Sequence, residues 1–184
     1  NITAGTGVGT NAFDHFNFKN MFLQSVGHTQ PLIDFESGVT ASNWTVDSGG
    51  NAWVGGDGAV RFVSTGTFTN NAFYNIRWEA GGSSGLKGFM FDIQPGSVSG
   101  NLLVQNVRGG ATGQQGYRIR NIWRFTAIDS NFEGSFGSAF TQIDIDNTVD
   151  FLDFVNFSFA GSANAVRTIH SDLKMLVSGQ SDNG

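Results

Sequence analysis

The sequence predicts an all-β protein whose chain winds into a parallel β-solenoid, and three observations support this. Apolar and polar residues alternate in short runs, which is the period of a strand and not of a helix. An asparagine followed by an apolar residue recurs along most of the chain. The strands that lie between these asparagines carry charges whose sign alternates from one repeat to the next.

The asparagine repeat sets the length of one coil. The asparagines are separated by 26, 32, 31, 25 and 25 residues, and the two longest intervals contain glycine-rich stretches at 47–58 and 79–88. The basic period is therefore about 25 residues. Asn tolerates the left-handed backbone conformation of a sharp bend, and stacked Asn side chains can hydrogen-bond from coil to coil. The six residues are Asn17, Asn43, Asn75, Asn106, Asn131 and Asn156.

The charged residues of the intervening strands predict how the coils stack. The predicted strands are 32–36, 60–62, 89–93, 117–120, 143–146 and 166–168. If neighbouring coils form in-register parallel strands about 4.8 Å apart, each charge lies between two charges of opposite sign. Exposed ion pairs contribute only about 0–1 kcal/mol each, so we expect them to fix register more than stability. The outward charges are Asp34 with Glu36, Arg61, Asp92, Arg118 with Arg120, Asp144 with Asp146, and Arg167.

The composition restricts the class of protein. Hydrophobic residues make up 39% of the 184 residues and 18 are Phe, which is enough for a packed core. Because there is no Cys, a disulfide framework and a thiolate metal site are excluded. The formal net charge is −5, so there is no basic surface for nucleic acid, and no apolar run approaches the ~20 residues of a membrane span. We therefore expect neither a nucleic-acid partner nor membrane insertion.

The length suits a single domain, 1–184, with residues 1–12 as a lead-in segment. A stack of about six rungs leaves open strand edges at both ends, and neither end of the sequence supplies an obvious cap. We therefore expect either a fragment of a longer chain or a trimer whose partners cover the exposed surfaces.

The alternative fold is a β-sandwich or jelly roll of the carbohydrate-binding-module type. Short strands that follow one another closely between turns also produce such a fold. A sandwich gives no reason for the asparagine repeat or for the alternation of charge.

The repeat resembles that of the right-handed parallel β-helix proteins of the pectate-lyase-like superfamily, in which inward asparagine ladders mark one turn of each coil. The resemblance covers roughly residues 13–177 and rests on the six asparagines and the apolar residue after each. Irregular coil lengths, abundant Gly and Phe and the lack of Cys look most like bacteriophage tailspike and tail-fibre proteins. These are homotrimers that bind or cleave bacterial surface polysaccharide. The resemblance implies a right-handed β-helix, a homotrimer and a location on the virion tail, outside the cell.

A glycan-binding site needs flat apolar faces for sugar rings and polar groups for hydroxyls. The best region in the sequence is the insertion 47–58, where Trp53 lies among glycines that suggest an exposed loop. We expect Trp53 and Trp78 to stack on sugar while Asp57 and Glu79 bind hydroxyls, and the two acids also form a candidate catalytic pair. The competing interpretation places Trp78 in the core and Trp53 at a subunit interface.

Other chemistry-bearing residues give weaker signals. His15, His28 and His170 are widely separated and match no metal-ligand spacing, so neither a metal nor a cofactor is predicted. Trp123 precedes Arg124, and we interpret it as structural or as part of an interface. No family-specific catalytic motif is present, so no catalytic residue is assigned.

Three functions follow from these observations. The first is a viral tail or receptor-binding module that binds bacterial surface polysaccharide without cleaving it. The second is a polysaccharide hydrolase or lyase of the same architecture. The third, which goes with the alternative fold, is a β-sandwich carbohydrate-binding module. The scarcity of clustered acids favours the first.

Overall fold

The computed structural model describes residues 2–4, 11–25, 30–35, 37–79, 88–110, 115–133, 143–146, 148–160 and 174–178. Every regular element in these segments is a β-strand, and all of the strand pairs among them are parallel. The predicted parallel β-solenoid is confirmed. The alternative β-sandwich is wrong, because that fold is built from antiparallel sheets. The described segments contain no helix with the length and apolar character of a membrane span.

The strands are short and are numbered along the chain. They are β1 Ile2–Ala4, β2 Asn11–Asp14, β3 Asn17–Lys19, β4 Leu23–Ser25, β5 Ile33–Phe35, β6 Val39–Ser42, β7 Thr45–Asp47, β8 Ala52–Gly55, β9 Val60–Ser64, β10 Phe68–Thr69, β11 Asn71–Tyr74, β12 Arg77–Glu79, β13 Phe89–Pro95, β14 Ser99–Gln105, β15 Arg108–Gly110, β16 Gln115–Ile119, β17 Ile122–Ile128, β18 Asn131–Glu133, β19 Ile143–Ile145, β20 Val149–Val155, β21 Ser158–Ala160 and β22 Lys174–Ser178.

Four sheets run along the stack. Sheet A has the order β1-β5-β9-β13-β16-β19, sheet B β10-β6-β2, sheet C β22-β20-β17-β14-β11-β7-β3 and sheet D β21-β18-β15-β12-β8-β4. Within one coil the chain passes from sheet A to sheet C and then to sheet D, with a sheet B strand before sheet C in the coils that contain β2, β6 and β10. Each strand pairs with the equivalent strands of the neighbouring coils. Five of the six strands predicted from charge patterning form β5, β9, β13, β16 and β19 of sheet A, and the sixth, 166–168, lies outside the described residues.

The core is a single column of apolar side chains that the coils share. In β9, Val60 and Phe62 are fully buried while Arg61 points outward, as the two-residue period of a strand requires. Aromatic rings contact one another from coil to coil, with ring centroids 5.4 Å apart and planes tilted by 53° for Phe35 and Phe62. One coil alone could not bury this surface, so stability comes from contacts between neighbouring coils.

The corners of the solenoid correct the predicted asparagine ladder, because the left-handed residues form two rows instead of one. One row precedes sheet C and the other follows it. Asn43 belongs to the first row, with φ 57°, whereas Asn75, Asn106 and Asn156 belong to the second, with φ of 55°, 51° and 48°. The full first row is His15, Asn43, Asn70 and Asn121, and the second is Asn20, Asn75, Asn106, Asp129 and Asn156.

Two of the predicted asparagines are not corner residues. Asn17 and Asn131 begin strands β3 and β18 and have ordinary negative φ. In the coil of Asn131 the left-handed residue is Asp129, because it directly follows the sheet C strand β17. Asp shares with Asn the short polar side chain that tolerates this conformation. The sequence search for Asn alone therefore missed this corner.

The corner amides do hydrogen-bond from coil to coil, but at the surface instead of in the core. Asn106 Nδ2 donates to Asn75 Oδ1 at 2.8 Å, and Asn75 Nδ2 donates to Asp47 Oδ1 at 2.9 Å. Asn156 Nδ2 donates to Asp129 Oδ1 at 2.8 Å, and both side chains are exposed. The hydrogen bond from Asn75, together with that from the Gly49 backbone N–H, holds the pKa of Asp47 below its ordinary value.

Candidate functional site

The outer face of sheet A carries the predicted alternation of charge, which we call the charge ladder: Asp34, Arg61, Asp92, Arg118 and Asp144. Strand pairing places each of these residues directly beside the next, as predicted. Glu36 and Arg167, which were predicted to belong to the same face, lie outside the described residues. The ladder therefore spans five successive strands with alternating sign.

Both ends of the charge ladder are tightly paired. Arg61 Nε donates to Asp34 Oδ1 at 2.8 Å and Arg61 Nη2 donates to Oδ2 at 2.5 Å, a bidentate pair. These hydrogen bonds raise the pKa of the Arg61 guanidinium. At the other end, Arg120 Nη2 lies 2.7 Å from Asp144 Oδ1, and Arg120 Nε lies 2.8 Å from Asp146 Oδ2.

The centre of the ladder is paired more loosely. The closest ion pair of Asp92 within the described residues is to Arg118, whose Nη1 lies 3.7 Å from Asp92 Oδ2. That separation exceeds the usual N–H···O range of about 2.7–3.2 Å. Gln94 Nε2 donates to Asp92 Oδ1 at 2.6 Å. Burial raises the pKa of Asp92, against the opposing effects of the Gln94 hydrogen bond and of the nearby arginines.

A groove of about 540 Å³ lies over this centre, and we call it the sheet A groove. Its lining includes Asp34, Arg61, Val63, Asp92, Gln94 and Arg118. The carboxylates accept hydrogen bonds, the guanidinium groups donate them and the amide does both. Val63, which is 46% exposed, adds an apolar contact. This combination suits a ligand with many hydroxyl groups.

Trp53 and Trp78, which were predicted to stack on sugar rings, do not form an exposed aromatic surface, because both indoles are buried. Trp53 and Trp78 are 0% exposed and lie side by side on β8 and β12. Trp53 Nε1 donates to the Met21 carbonyl at 2.9 Å, and Trp78 Nε1 donates to the Gly55 carbonyl at 3.1 Å. The expectation that Trp53 lies in an exposed loop is wrong, and the competing interpretation that Trp78 fills the core is confirmed.

The glycines around Trp53 have a backbone role that explains the error. Gly55 ends β8 with φ 85°, and a Cβ there would lie 1.6 Å from the Ser25 carbonyl oxygen of the neighbouring coil. Glycine is required for this close approach and bend. The glycine-rich stretch is therefore a strand and a tight corner, not a projecting loop.

The two predicted acids are partly exposed, and the structure shows no contact between them. Asp57 Oδ1 accepts a hydrogen bond from the Gly88 N–H at 2.9 Å. Glu79 Oε1 lies 2.7 Å from Arg77 Nη2 on the outer face of sheet D. Their roles in glycan binding and as a catalytic pair stay predictions.

An exposed indole lies instead on the outer face of sheet C, at Trp123. It is 43% exposed and meets the Phe151 ring edge-on at 5.2 Å. The Arg124 guanidinium lies 5.9 Å from the indole and 5.4 Å from the Phe151 ring, and its Nε lies 3.1 Å from Asp153 Oδ2.

Sequence alternation could not have identified Trp123 as exposed. Because side chains alternate along a strand, the inward direction of Phe125 predicts that Trp123, two residues earlier, also points inward. In the structure Ile122 and Phe125 are both buried, so two successive residues, Trp123 and Arg124, point outward where the strand leaves the corner. The same three-residue step separates the buried Ser99 and Leu102 of β14.

The described residues contain no group of three His, Asp or Glu side chains that could hold a metal ion. Comparison of the chain with protein-family models, with curated proteins and with solved structures found no match.

Proposed function

We propose that this protein is a tail or receptor-binding module of a bacteriophage, located outside the cell, that binds bacterial surface polysaccharide through the sheet A groove as a homotrimer. The support for binding comes from the lining of the groove. Sugar hydroxyls donate and accept hydrogen bonds, and the alternating carboxylates and guanidinium groups of the charge ladder offer both partners at each step along the stack.

The single observation that carries the proposal is the direction of the charge ladder, which runs along the axis of the solenoid. The charge ladder crosses the strands, so successive side chains repeat every ~4.8 Å along the axis of the solenoid. An extended polymer can lie along such a surface and contact the same kinds of group again and again. A compact metabolite would use only one step of it.

The proposal is tested by binding measurements on an array of bacterial capsular and O-antigen polysaccharides. We expect the full chain to bind members of the array, and Arg118→Gln to lower the affinity by about tenfold or more, because loss of a charge-assisted hydrogen bond costs ~1.5–3 kcal/mol. Arg108→Gln is the matched control, since Arg108 is exposed on sheet D. Absence of binding to every polysaccharide, or equal effects of the two variants, would contradict the proposal.

A second candidate function, polysaccharide hydrolysis, is favoured by one observation. Asp92 has a raised pKa, which suits a general acid, and Asp34 lies two strands away in the same groove. Two strand spacings separate the two backbones by about 9.6 Å, just above the ~6.5–9.5 Å that separates the carboxyl groups of inverting glycosidases. Formation of new reducing ends from a bound polysaccharide by the unsubstituted protein, but not by Asp92→Asn, would establish hydrolysis. If no new reducing ends form, the protein binds the polysaccharide without cleaving it.

A further inference from the structure

The charges of the sheet A groove cancel, and this bears on the kind of sugar that it can bind. Its described lining contains two carboxylates and two guanidinium groups. The whole chain has a net charge of −5. An acidic polysaccharide would therefore meet no net positive field on approach.

The guanidinium groups are also committed to partners within the protein. Arg61 would have to release the bidentate Asp34 pair to bind a ligand carboxylate, and Asp34, whose side chain is only 11% exposed, would lose its counter-ion. Leaving a largely buried charge unpaired is strongly unfavourable. Arg118 lies 3.7 Å from Asp92 and 3.4 Å from Asp144, so its charge is also balanced within the protein, but its N–H groups are held less tightly than those of Arg61.

Asp92 offers the complementary feature, an acceptor at the centre of the groove. Its Oδ1 is engaged by Gln94 at 2.6 Å, whereas its Oδ2 has Arg118 only at 3.7 Å among the described residues. A hydroxyl donor fits between these groups better than a second anion, which the carboxylate would repel. Arg118, whose side chain is 36% exposed, lies beside it as a donor.

We infer that the sheet A groove binds an uncharged sugar unit through two adjacent hydroxyls, one donating to Asp92 Oδ2 and the other accepting from Arg118 Nη1. This inference rests on the proposed function and adds the ligand class. It also predicts how binding responds to salt. Hydrogen bonds from a neutral ligand are only weakly screened, whereas ion pairs with an acidic polymer weaken steeply as ionic strength rises.

The test measures binding of the full chain to two sets of bacterial polysaccharides, neutral ones and ones that contain uronic acids, at low and high NaCl. We expect binding to neutral members, with less than about a twofold change in affinity between 0.05 and 0.5 M NaCl. Each bound polysaccharide is then retested after periodate oxidation, which cleaves the carbon–carbon bond of vicinal diols, and after borohydride reduction of the aldehydes that this cleavage produces. The treated polymer should lose binding, and this arm does not depend on the folding of any variant.

A pair of variants ties the ligand class to the groove. Asp92→Asn should lower affinity for the neutral polysaccharide by about tenfold, because an amide accepts a hydroxyl more weakly than a carboxylate does. Asp129→Asn, at the exposed corner that follows β17, should leave the affinity unchanged, because Asn tolerates the same left-handed backbone conformation.

The outcomes separate the inference from the proposed function. Binding only to uronic-acid polymers with a steep fall in salt, or unchanged binding after periodate treatment, would overturn the inference and leave the glycan-binding function standing. Binding to neutral polymers that is equal for both variants would also overturn it. Failure to bind any member of either set would remove the proposed function itself.

Discussion

Asp92 lowers the stability of the folded protein when it is ionised, because burial raises the pKa of its carboxyl group. A carboxyl group whose pKa is raised in the folded state stabilises the fold below its unfolded pKa of about 3.9, and this contribution is lost as pH rises through the folded pKa. Ionised Asp92 is therefore less favourable in the folded protein than in the unfolded chain. Residues of this kind concentrate at functional sites, where stability is given up for chemistry.

This sign gives a prediction for Asp92→Asn. Relative to the unsubstituted protein, the variant should gain free energy of unfolding as pH rises from about 3 to 7, because Asn cannot ionise. Urea denaturation curves of the two proteins across this range measure the difference. If the difference in free energy of unfolding between the two proteins is the same at every pH, burial does not disfavour the Asp92 carboxylate. A gain in stability accompanied by loss of polysaccharide binding would be the signature of a binding residue.

At the residue scale the sequence was least informative about aromatic side chains. Trp53 was predicted to be exposed and is buried, while Trp123, interpreted as structural or as part of an interface, is 43% exposed. The burial of Trp53 and the exposure of Trp123 both depend on the local path of the backbone at a corner. Gly55 bends the chain where a loop was expected, and the step from Ile122 to Phe125 breaks the alternation. Neither the bend at Gly55 nor this three-residue step can be predicted from the composition of the sequence.

At the scale of the element, charge alternation was the strongest sequence signal. It identified the strands of sheet A and their register, because like charges would otherwise lie side by side in adjacent strands. The asparagine repeat located the corners less well. The structure has two rows of left-handed residues, one before and one after the sheet C strands. The spacing of the asparagines alone does not distinguish these rows and gives a single apparent period.

The corner row after sheet C predicts how its asparagines contribute to stability. Asn106→Ala should lower the free energy of unfolding by about 2 kcal/mol, because it loses the hydrogen bond to Asn75 and places Ala at a φ of 51°. Asn17→Ala, at an exposed strand position with ordinary φ, should change it by less than about 0.5 kcal/mol.

Asn106→Gly separates the two causes. Glycine adopts positive φ without strain, so this variant should recover the backbone part and lose only the hydrogen bond. Thermal and urea unfolding of the three variants measure the contributions. If Asn106→Ala and Asn17→Ala were equally stable, the corner row would have no stabilising role.

At the scale of the whole molecule, sheets A and C present different outer faces. The outer face of sheet A is charged, whereas that of sheet C carries the exposed Trp123 and the half-buried Ile128 and Val155, which lie in register. Trp123 and Ile128 lie at opposite ends of β17, with Arg124 and Thr126 between them, and exposed apolar side chains on one face favour a contact with another protein. Sheet C is therefore the face that we expect the proposed homotrimer to bury.

The trimer is tested by light scattering during size-exclusion chromatography. We expect a mass three times the 19.7 kDa of the chain, and a shift to monomer for Ile128→Lys, because a charge buried at the interface would lack a partner. Val98→Lys, at an exposed position between β13 and β14, should leave the mass unchanged. A monomer at micromolar concentration would remove the trimer.

The alternation of sign along sheet A has a consequence for how this protein can change its length. Adding or deleting one coil would shift every later charge by one place and set Asp against Asp or Arg against Arg at the junction. Adding or deleting two coils would restore the order. Insertions and deletions should therefore be tolerated in even numbers of coils. The solenoid should lengthen or shorten by pairs of coils.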